Sequence, residues 1–586
     1  MENSFVRRGA GARWLRAADD IRAEREKRRD CGETRVSERK RKFYAWGFED
    51  QAATADEMAP VLDTWHRVFE VDGFDVMPAP TLDAIDMPSS RITAIPAALR
   101  GICRQDRYER ALHAYGRSFL DSAKMFRGDF TRAPDVVAYP RSEAEVEALI
   151  DWAGSIDAAV IPFGGGSSVV GGVNPEIEGD YSGVVTIDMW HMNRVLEVDA
   201  VSRSARVQAG VYGPDLEKQL KAHDLTLRHF PQSFEVSTLG GWVATRAAGH
   251  FASNATYIDD YVESIRMVTP AGVSESRRLP ASGAGPSPDR FVMWTEGSVG
   301  IITEAWIRVL NRPRHKVGAT LVFDDYYRAA EAVRAISQAG LQPDNCRLID
   351  ALEARLTKSY EGDRPILVLG YESAHHPVDH LLKLTVELCA DYGGSPVEKS
   401  ERPEERSAVA GQWRNAFIRG PYYREHMTAR GICRETFETA VPWSGFAELH
   451  GSVIRAVDAA IRRVTGRAGT VTCRFTHIYP NGPAPYFTFH CLPDRARMDE
   501  QCMEIKCAAY DAVMKAGGTI THHHAVGRLH MPWYVEQRPK PIGAAFAAAK
   551  RALDPAGIMN PGVIVPERDI AAWRAAPVKR EAVAAS

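Results

Sequence analysis

Short apolar runs and amphipathic stretches alternate along the chain from about Phe130. PDVVAYP is a Pro-bounded β run, SEAEVEALIDWAGS has the helical pattern, and AAVIPF is a second strand running into glycines. Strand, helix, strand, glycine is the outline of an α/β nucleotide-binding unit. From about Arg312 the pattern changes. YRAAEAVRAISQAG is helical, PILVLGYES is strand-like, and TVTCRFTHIYPNGPAPYFTFHC is a hairpin with YPNGPAP as its turn. In the second run of that hairpin Tyr486, Thr488 and His490 share one side, and Phe487, Phe489 and Cys491 the other. A polar face opposite an apolar one predicts a cavity wall, the plainer alternative being that Tyr486 packs a sheet.

Composition bounds this picture. A chain of 586 residues exceeds one compact core and implies several domains. Apolar content of 45%, charged content of 25% and a net charge of −3 carry no bias toward nucleic acid or membrane. No apolar run approaches the ~18 residues of a membrane span, and MENSFVRRGAGARW lacks the apolar centre of a secretory signal. Nine scattered cysteines without a CxxC pair suggest neither a zinc site nor a disulfide framework, and a reducing compartment is expected. RAEREKRRD and RVSERKRK near the start interleave both signs of charge, which predicts a solvated helix or tail.

PFGGGSSVVGGV concentrates glycine where backbone N–H groups can converge on pyrophosphate oxygens. It is neither G-x-G-x-x-G opening a helix nor a Walker loop. Two further small-residue segments, PQSFEVSTLGGWVATRAAG and EGSVG, suit a large folded cofactor better than a lone phosphate. The triplet His522, His523, His524 follows a helix ending KAGG. On a strand these side chains would diverge, and no nearby Cys or carboxylate completes a metal site, so no metal is expected. Beside a cofactor the rings would stabilise an oxyanion or phosphate and exchange protons near neutral pH.

These segments, with CRLID, RETFETAVPW, PYFTFHC, THHHAVGRL and LDPAGIMNPG, resemble the alkyldihydroxyacetonephosphate synthase family of the vanillyl-alcohol oxidase superfamily, from about Phe43 to Pro566. The resemblance implies an α+β fold: a two-subdomain FAD-binding domain of the vanillyl-alcohol oxidase type, an α+β cap, and helical N-terminal and C-terminal segments. The implied boundaries are 1–129 for a mostly helical N-terminal region, 130–312 for the FAD domain, 313–518 for the cap, and 519–586 for the His segment and a return to the FAD domain.

By the same resemblance, Pro162, Phe163, Gly164, Gly165, Gly166, Ser167 and Ser168 hold the pyrophosphate. Gln232, Ser233, Phe234, Glu235, Val236, Ser237 and Thr238, with Thr245, Arg246, Ala247 and Ala248, surround the ribityl chain and ring system. Glu296, Gly297, Ser298, Val299, Gly300, Ile301 and Ile302 complete the pocket. No His or Cys lies within the first loop to link the flavin, so non-covalent FAD is expected, with His250 the one nearby candidate for a link. The family's YGN is here Ala255, Thr256, Tyr257, and Ala525 replaces the glycine after the triplet.

Tyr486 matches the family's proton-moving tyrosine, the three histidines its active-site triplet, Arg347 an arginine that helps catalysis, and Arg424 one beside the substrate's polar head. The implied reaction exchanges an ester-linked fatty acid of acyl-dihydroxyacetone phosphate for a fatty alcohol, with a flavin that begins and ends oxidised. The alternative on the same fold is oxidation of a 2-hydroxy acid or alcohol, and a flavin-binding scaffold would need none of these side chains. The expected partners are small lipid substrates and no nucleic acid, in a cytoplasmic chain compatible with peripheral membrane contact and with a homodimer.

Overall fold

The computed structural model describes residues 39–360, 362–397 and 418–575. Most of the Arg-rich N-terminal region lies outside them, but the end of RVSERKRK does not, and there the expected solvated tail is corrected: Arg41 and Lys42 are buried, paired with Asp188 at 2.9 Å and with Glu425. Strands β1 (Cys103–Arg104), β2 (Val136–Ala138), β3 (Ala159–Phe163) and β4 (Val184–Asp188) form a sheet of order β1-β2-β4-β3, in which β2 and β3 both run parallel to β4. The helix Glu143–Ser155 makes the crossover from β2 to β3. It begins where the Ser142 hydroxyl accepts the Glu145 N–H, and it buries Val146, Leu149, Ile150 and Ala153, one helical face, on the sheet. The glycine loop links β3 to β4.

A second, antiparallel sheet of order β5-β6-β10-β8-β9 comprises β5 (Val195–Asp199), β6 (Ser204–Gln208), β8 (Val262–Thr269), β9 (Gly272–Glu275) and β10 (Ile301–Arg308), while β7 (Leu225–Thr226) pairs with β11 (Leu310–Asn311). The third sheet has seven antiparallel strands in the order β15-β12-β14-β13-β17-β18-β16. These are β12 (His315–Val322), β13 (Asn345–Ile349), β14 (Ile366–Ser373), β15 (Ser395–Pro396), β16 (Cys433–Glu438), β17 (Thr470–Tyr479) and β18 (Gly482–Cys491). Helices Tyr326–Gln338, Phe446–Thr465 and Met498–Lys515 pack on one face of it through Phe437, Phe475, Phe487 and Phe489. Thus the apolar side of the hairpin's second strand is core, and its polar side faces a cavity.

The C-terminal segment lies along the free edge of β3. The Val160 N–H donates to the Ile558 carbonyl and the Asn560 N–H to the Val160 carbonyl, which satisfies an otherwise open strand edge. Asn560 Nδ2 also donates to the carbonyls of Gly172 (3.0 Å) and Glu296 (2.7 Å). Between residues 39 and 129 the chain departs from the expected helical reading. Helices Ala55–Phe69, Arg107–Leu112 and Phe119–Phe126 are separated by irregular chain, because Pro78, Pro80, Pro88 and Pro96 remove N–H donors and disfavour helix before them. No helix among the described residues is long and apolar enough to cross a membrane.

Candidate active site

Between the glycine loop and the polar face of the large sheet lies a cavity that gathers three parts of the sequence. The first is Gly164, Gly165, Gly166, Ser167 and Ser168. The second is Gln232, Ser233, Ser237, Thr238, Thr245, Ala247 and Ala248. The third is Arg347, Arg424, Tyr486, His523 and His524. The first two loops are back to back. A Cβ on Gly165 would lie 1.8 Å from the Val236 carbonyl oxygen, so no side chain fits there. Gly166, at φ +68°, turns the chain with its Cα against the Phe163 ring. The N–H groups of Gly165, Gly166, Ser167 and Ser168 find no backbone acceptor among the described residues, as an anion cradle requires.

Several residues assigned to the cofactor from the sequence do not line this cavity. Pro162 and Phe163 form the end of β3 beneath the loop. Phe234, Glu235 and Val236 make a short turn facing away, with the Glu235 carboxylate accepting the Tyr422 O–H at 2.7 Å. Arg246 pairs with Asp259 at 3.1 Å. The segment Glu296, Gly297, Ser298, Val299, Gly300, Ile301, Ile302 stands behind the wall. The buried Glu296 carboxylate accepts the N–H groups of Val526 (2.8 Å) and Gly527 (2.9 Å), and burial pushes it up to about 7. Its part is to tie the His-bearing segment to the FAD loops. His250 is packed between Phe230 and Phe251, off the cavity wall. We therefore expect purified protein to be yellow and to release intact FAD on acid or heat denaturation; flavin left on the denatured polypeptide would overturn this.

The histidine triplet is not on a strand. It lies in a loop wrapped around one buried carboxylate, Glu438 at the end of β16, and so the rings converge where a strand would splay them. Glu438 accepts the backbone N–H groups of His522 (2.7 Å), His523 (3.1 Å) and His524 (2.9 Å) and the Thr521 hydroxyl (2.6 Å). Burial alone would raise its pKa, but the surrounding imidazoles and the hydroxyl reverse that and hold it well below the usual carboxylate range. Ala525 follows at φ +73°, a left-handed conformation that suits the family's glycine better than alanine.

Residues that the sequence reading passed over complete the site. The hairpin register places Arg474 directly opposite Tyr486, and a bulge between Phe475 and His477 brings Thr476 and His477 to the same cavity. The alternation seen in the second strand was the available signal, but only pairing shows which first-strand residues share its face. The Arg474 guanidinium lies 4.0 Å from the centre of the Tyr486 ring, and the His523 and His524 rings are 5.9 and 5.3 Å from it. Arg347 donates to the His250 carbonyl (2.8 Å), and burial pushes its guanidinium down to about 9. Arg424 donates to the Arg117 carbonyl. Arg424 Nε, Arg474 Nε and His477 Nδ1 are buried without a hydrogen-bond partner among the described residues, which points to a polar ligand.

His477, His522 and His523 each bring a ring nitrogen within 4.8 Å of the others. The nearby carboxylate, Glu438, is committed to backbone donors, and Arg347 and Arg474 stand beside the rings. The group therefore presents neutral donor and acceptor rings to an anion.

Burial pushes His522 and His229 down to about 3 and His530 to about 4. The unfolded chain protonates such rings near pH 6.5 while the folded chain does not. Stability is therefore complete above that pH and lost as pH falls toward 4, by about 1.4 kcal/mol per ring per unit. The melting temperature is expected to drop by several degrees between neutral pH and about 5.5; a flat profile would contradict the buried neutral rings.

The fold and cradle define an FAD-binding flavoprotein. Residues 134–275 match the FAD binding domain family and residues 312–564 the C-terminal domain of FAD linked oxidases. The chain is similar to the alkyldihydroxyacetonephosphate synthases. It is 29% identical over 489 residues to the alkyldihydroxyacetonephosphate synthase of Dictyostelium discoideum, covering 79% of this chain and 78% of that one. A solved alkyldihydroxyacetonephosphate synthase superposes with a TM-score of 0.75 at 25% identity, over 90% of this chain and 99% of the other. The mitochondrial cytochrome D-lactate dehydrogenase of Arabidopsis thaliana is 25% identical, over 82% of this chain and 81% of its own length.

Proposed function

We propose that the protein exchanges the acyl chain of acyl-dihydroxyacetone phosphate for a fatty alcohol, releasing the fatty acid and leaving an ether bond in its place. The observation that carries this reading is the setting of Tyr486, whose ring stands among Arg474, His523 and His524 at the end of the glycine cradle. FAD, when bound, supplies an electron-accepting ring beside the substrate carbon. Tyr486 gives its own proton to His523 or His524, which are neutral at working pH, and the tyrosinate oxygen so formed takes the proton at C1 of the substrate, the steps reversing when the proton is returned. Arg347 and Arg424 hold the phosphate and the enolate charge.

The arginines also weigh against oxidation of a 2-hydroxy acid. Arg347, Arg424 and Arg474 line the cavity that holds Tyr486. Three guanidinium groups in one cavity suit a phosphate dianion better than a single carboxylate. A second cavity of about 710 Å³ adjoins the same sheet face through Thr472 and Thr488, and Val61, Trp65, Leu356 and Met427 give it an apolar side on which an alkyl chain can lie. Chains of that kind enter from a lipid surface, so this reading includes peripheral membrane contact.

The test is anaerobic mixing of the holoenzyme with acyl-dihydroxyacetone phosphate and a fatty alcohol, with product analysis and the flavin spectrum followed together. Ether product without lasting bleaching is expected; lasting bleaching by a D-2-hydroxy acid without ether formation would overturn the proposal. Arg424→Lys keeps charge but loses the planar fork, so KM for the phosphate substrate should rise about tenfold with little change in kcat. Steady-state kinetics check this.

A further inference from the structure

The histidines give the Tyr486 proton somewhere to go, and the sheet places a charged side chain against the same ring. Arg474 is 6% exposed, and its guanidinium lies over the Tyr486 ring at 4.0 Å. Its other side is held by Glu353, 5% exposed, in the helix Ala351–Leu356 that follows β13. Glu353 is itself fixed. Its N–H donates to the Asp350 carboxylate at 2.6 Å, and its carboxylate accepts the Thr472 hydroxyl at 3.1 Å. Tyrosine, arginine and glutamate thus form a line along the polar face of the sheet, from the first cavity toward the second.

We propose that Arg474, anchored by Glu353, is a positioning residue that sets how readily Tyr486 gives up its proton. The proposal rests on Tyr486 acting as proposed above. A guanidinium against the ring favours the negative charge left when the proton departs, and the Glu353 carboxylate behind it limits that effect. The pair therefore has a balance that can be tilted both ways, which a merely structural ion pair lacks.

The other charged groups near the ring stay constant in the comparison. They are His523 and His524 from the loop, Glu438 and Arg434 from β16, and Arg347 from β13. Asp350, which burial and the neighbouring Glu353 push up to about 7, also titrates nearby. Because Glu353→Gln also lowers Asp350, each variant is compared with Tyr486→Phe made in the same background, which isolates the tyrosine.

The experiment follows two readouts across pH in the FAD-loaded protein: turnover, and the change in tyrosinate and flavin absorbance relative to Tyr486→Phe. Arg474→Gln should move the midpoint of both toward alkaline pH by about one to two units, and Glu353→Gln should move it toward acid pH by about one unit. The double variant should return close to the parent, and Arg474→Lys should recover most of the Arg474→Gln shift. If the single variants lose activity with unmoved midpoints, or move it in the same direction, the proposal is wrong. Should Arg474→Gln or Glu353→Gln fail to fold, the charge-balanced double variant and Arg474→Lys still carry the test, and a midpoint displaced in both would refute it. If the parent makes no ether product, the functional reading fails, while the spectral titration still decides whether Arg474 governs Tyr486.

Discussion

Tyr486→Phe should abolish turnover while the protein stays folded and keeps its FAD. The residue is 5% exposed on β18, and phenylalanine preserves its ring, its stacking with Arg474 and its contacts with His523 and His524. What disappears is the hydroxyl. Proton transfer by a placed side chain contributes about 10² to 10⁴ in rate, so kcat should fall by that factor with the flavin spectrum and melting temperature nearly unchanged. Rapid-mixing and steady-state assays against the parent measure it. Near-normal activity in the variant would make Tyr486 a packing residue and remove the centre of the proposed mechanism.

Glu438→Ala should be the most damaging change in both stability and activity. Its carboxylate satisfies three successive backbone N–H groups and the Thr521 hydroxyl, and alanine leaves all four donors without that acceptor. Each unmet buried donor costs about 1 to 3 kcal/mol, so a loss of about 4 kcal/mol or more is expected, together with release of the loop that aims the imidazoles. Glu438→Gln keeps the shape and one acceptor oxygen but turns an amide toward backbone donors, and should fall between parent and alanine. Calorimetry and turnover measured on the same samples check the ranking. An alanine variant that melts and turns over like the parent would show that the loop holds itself.

Both predictions depend on how much of the site could be read before folding. The cradle was legible because glycine is a local signal: PFGGGSSV marks a backbone approach wherever it occurs, and the 1.8 Å space at Gly165 is its tertiary counterpart. The face of Tyr486 was also legible, since alternation along one strand is local. EGSVG looked equally suited to a cofactor, yet its glutamate grips the backbone of Val526 and Gly527. Composition cannot distinguish a loop that touches a ligand from one that holds the loop that does.

The sequence by itself determined the strand–helix–strand–glycine unit, the hairpin with one polar face, and the presence of imidazoles and guanidinium groups in separate segments. Only the tertiary structure decided which of them meet. Arg474 and Tyr486 face each other because of a register, and His477 joins them because of a bulge. The three histidines converge because Glu438, more than eighty positions away, accepts their backbone N–H groups. Local pattern fixes the side on which a residue lies along its own element. Pairing, bulges and buried carboxylates fix its neighbours, because the contacts that reward those arrangements join residues far apart in the chain.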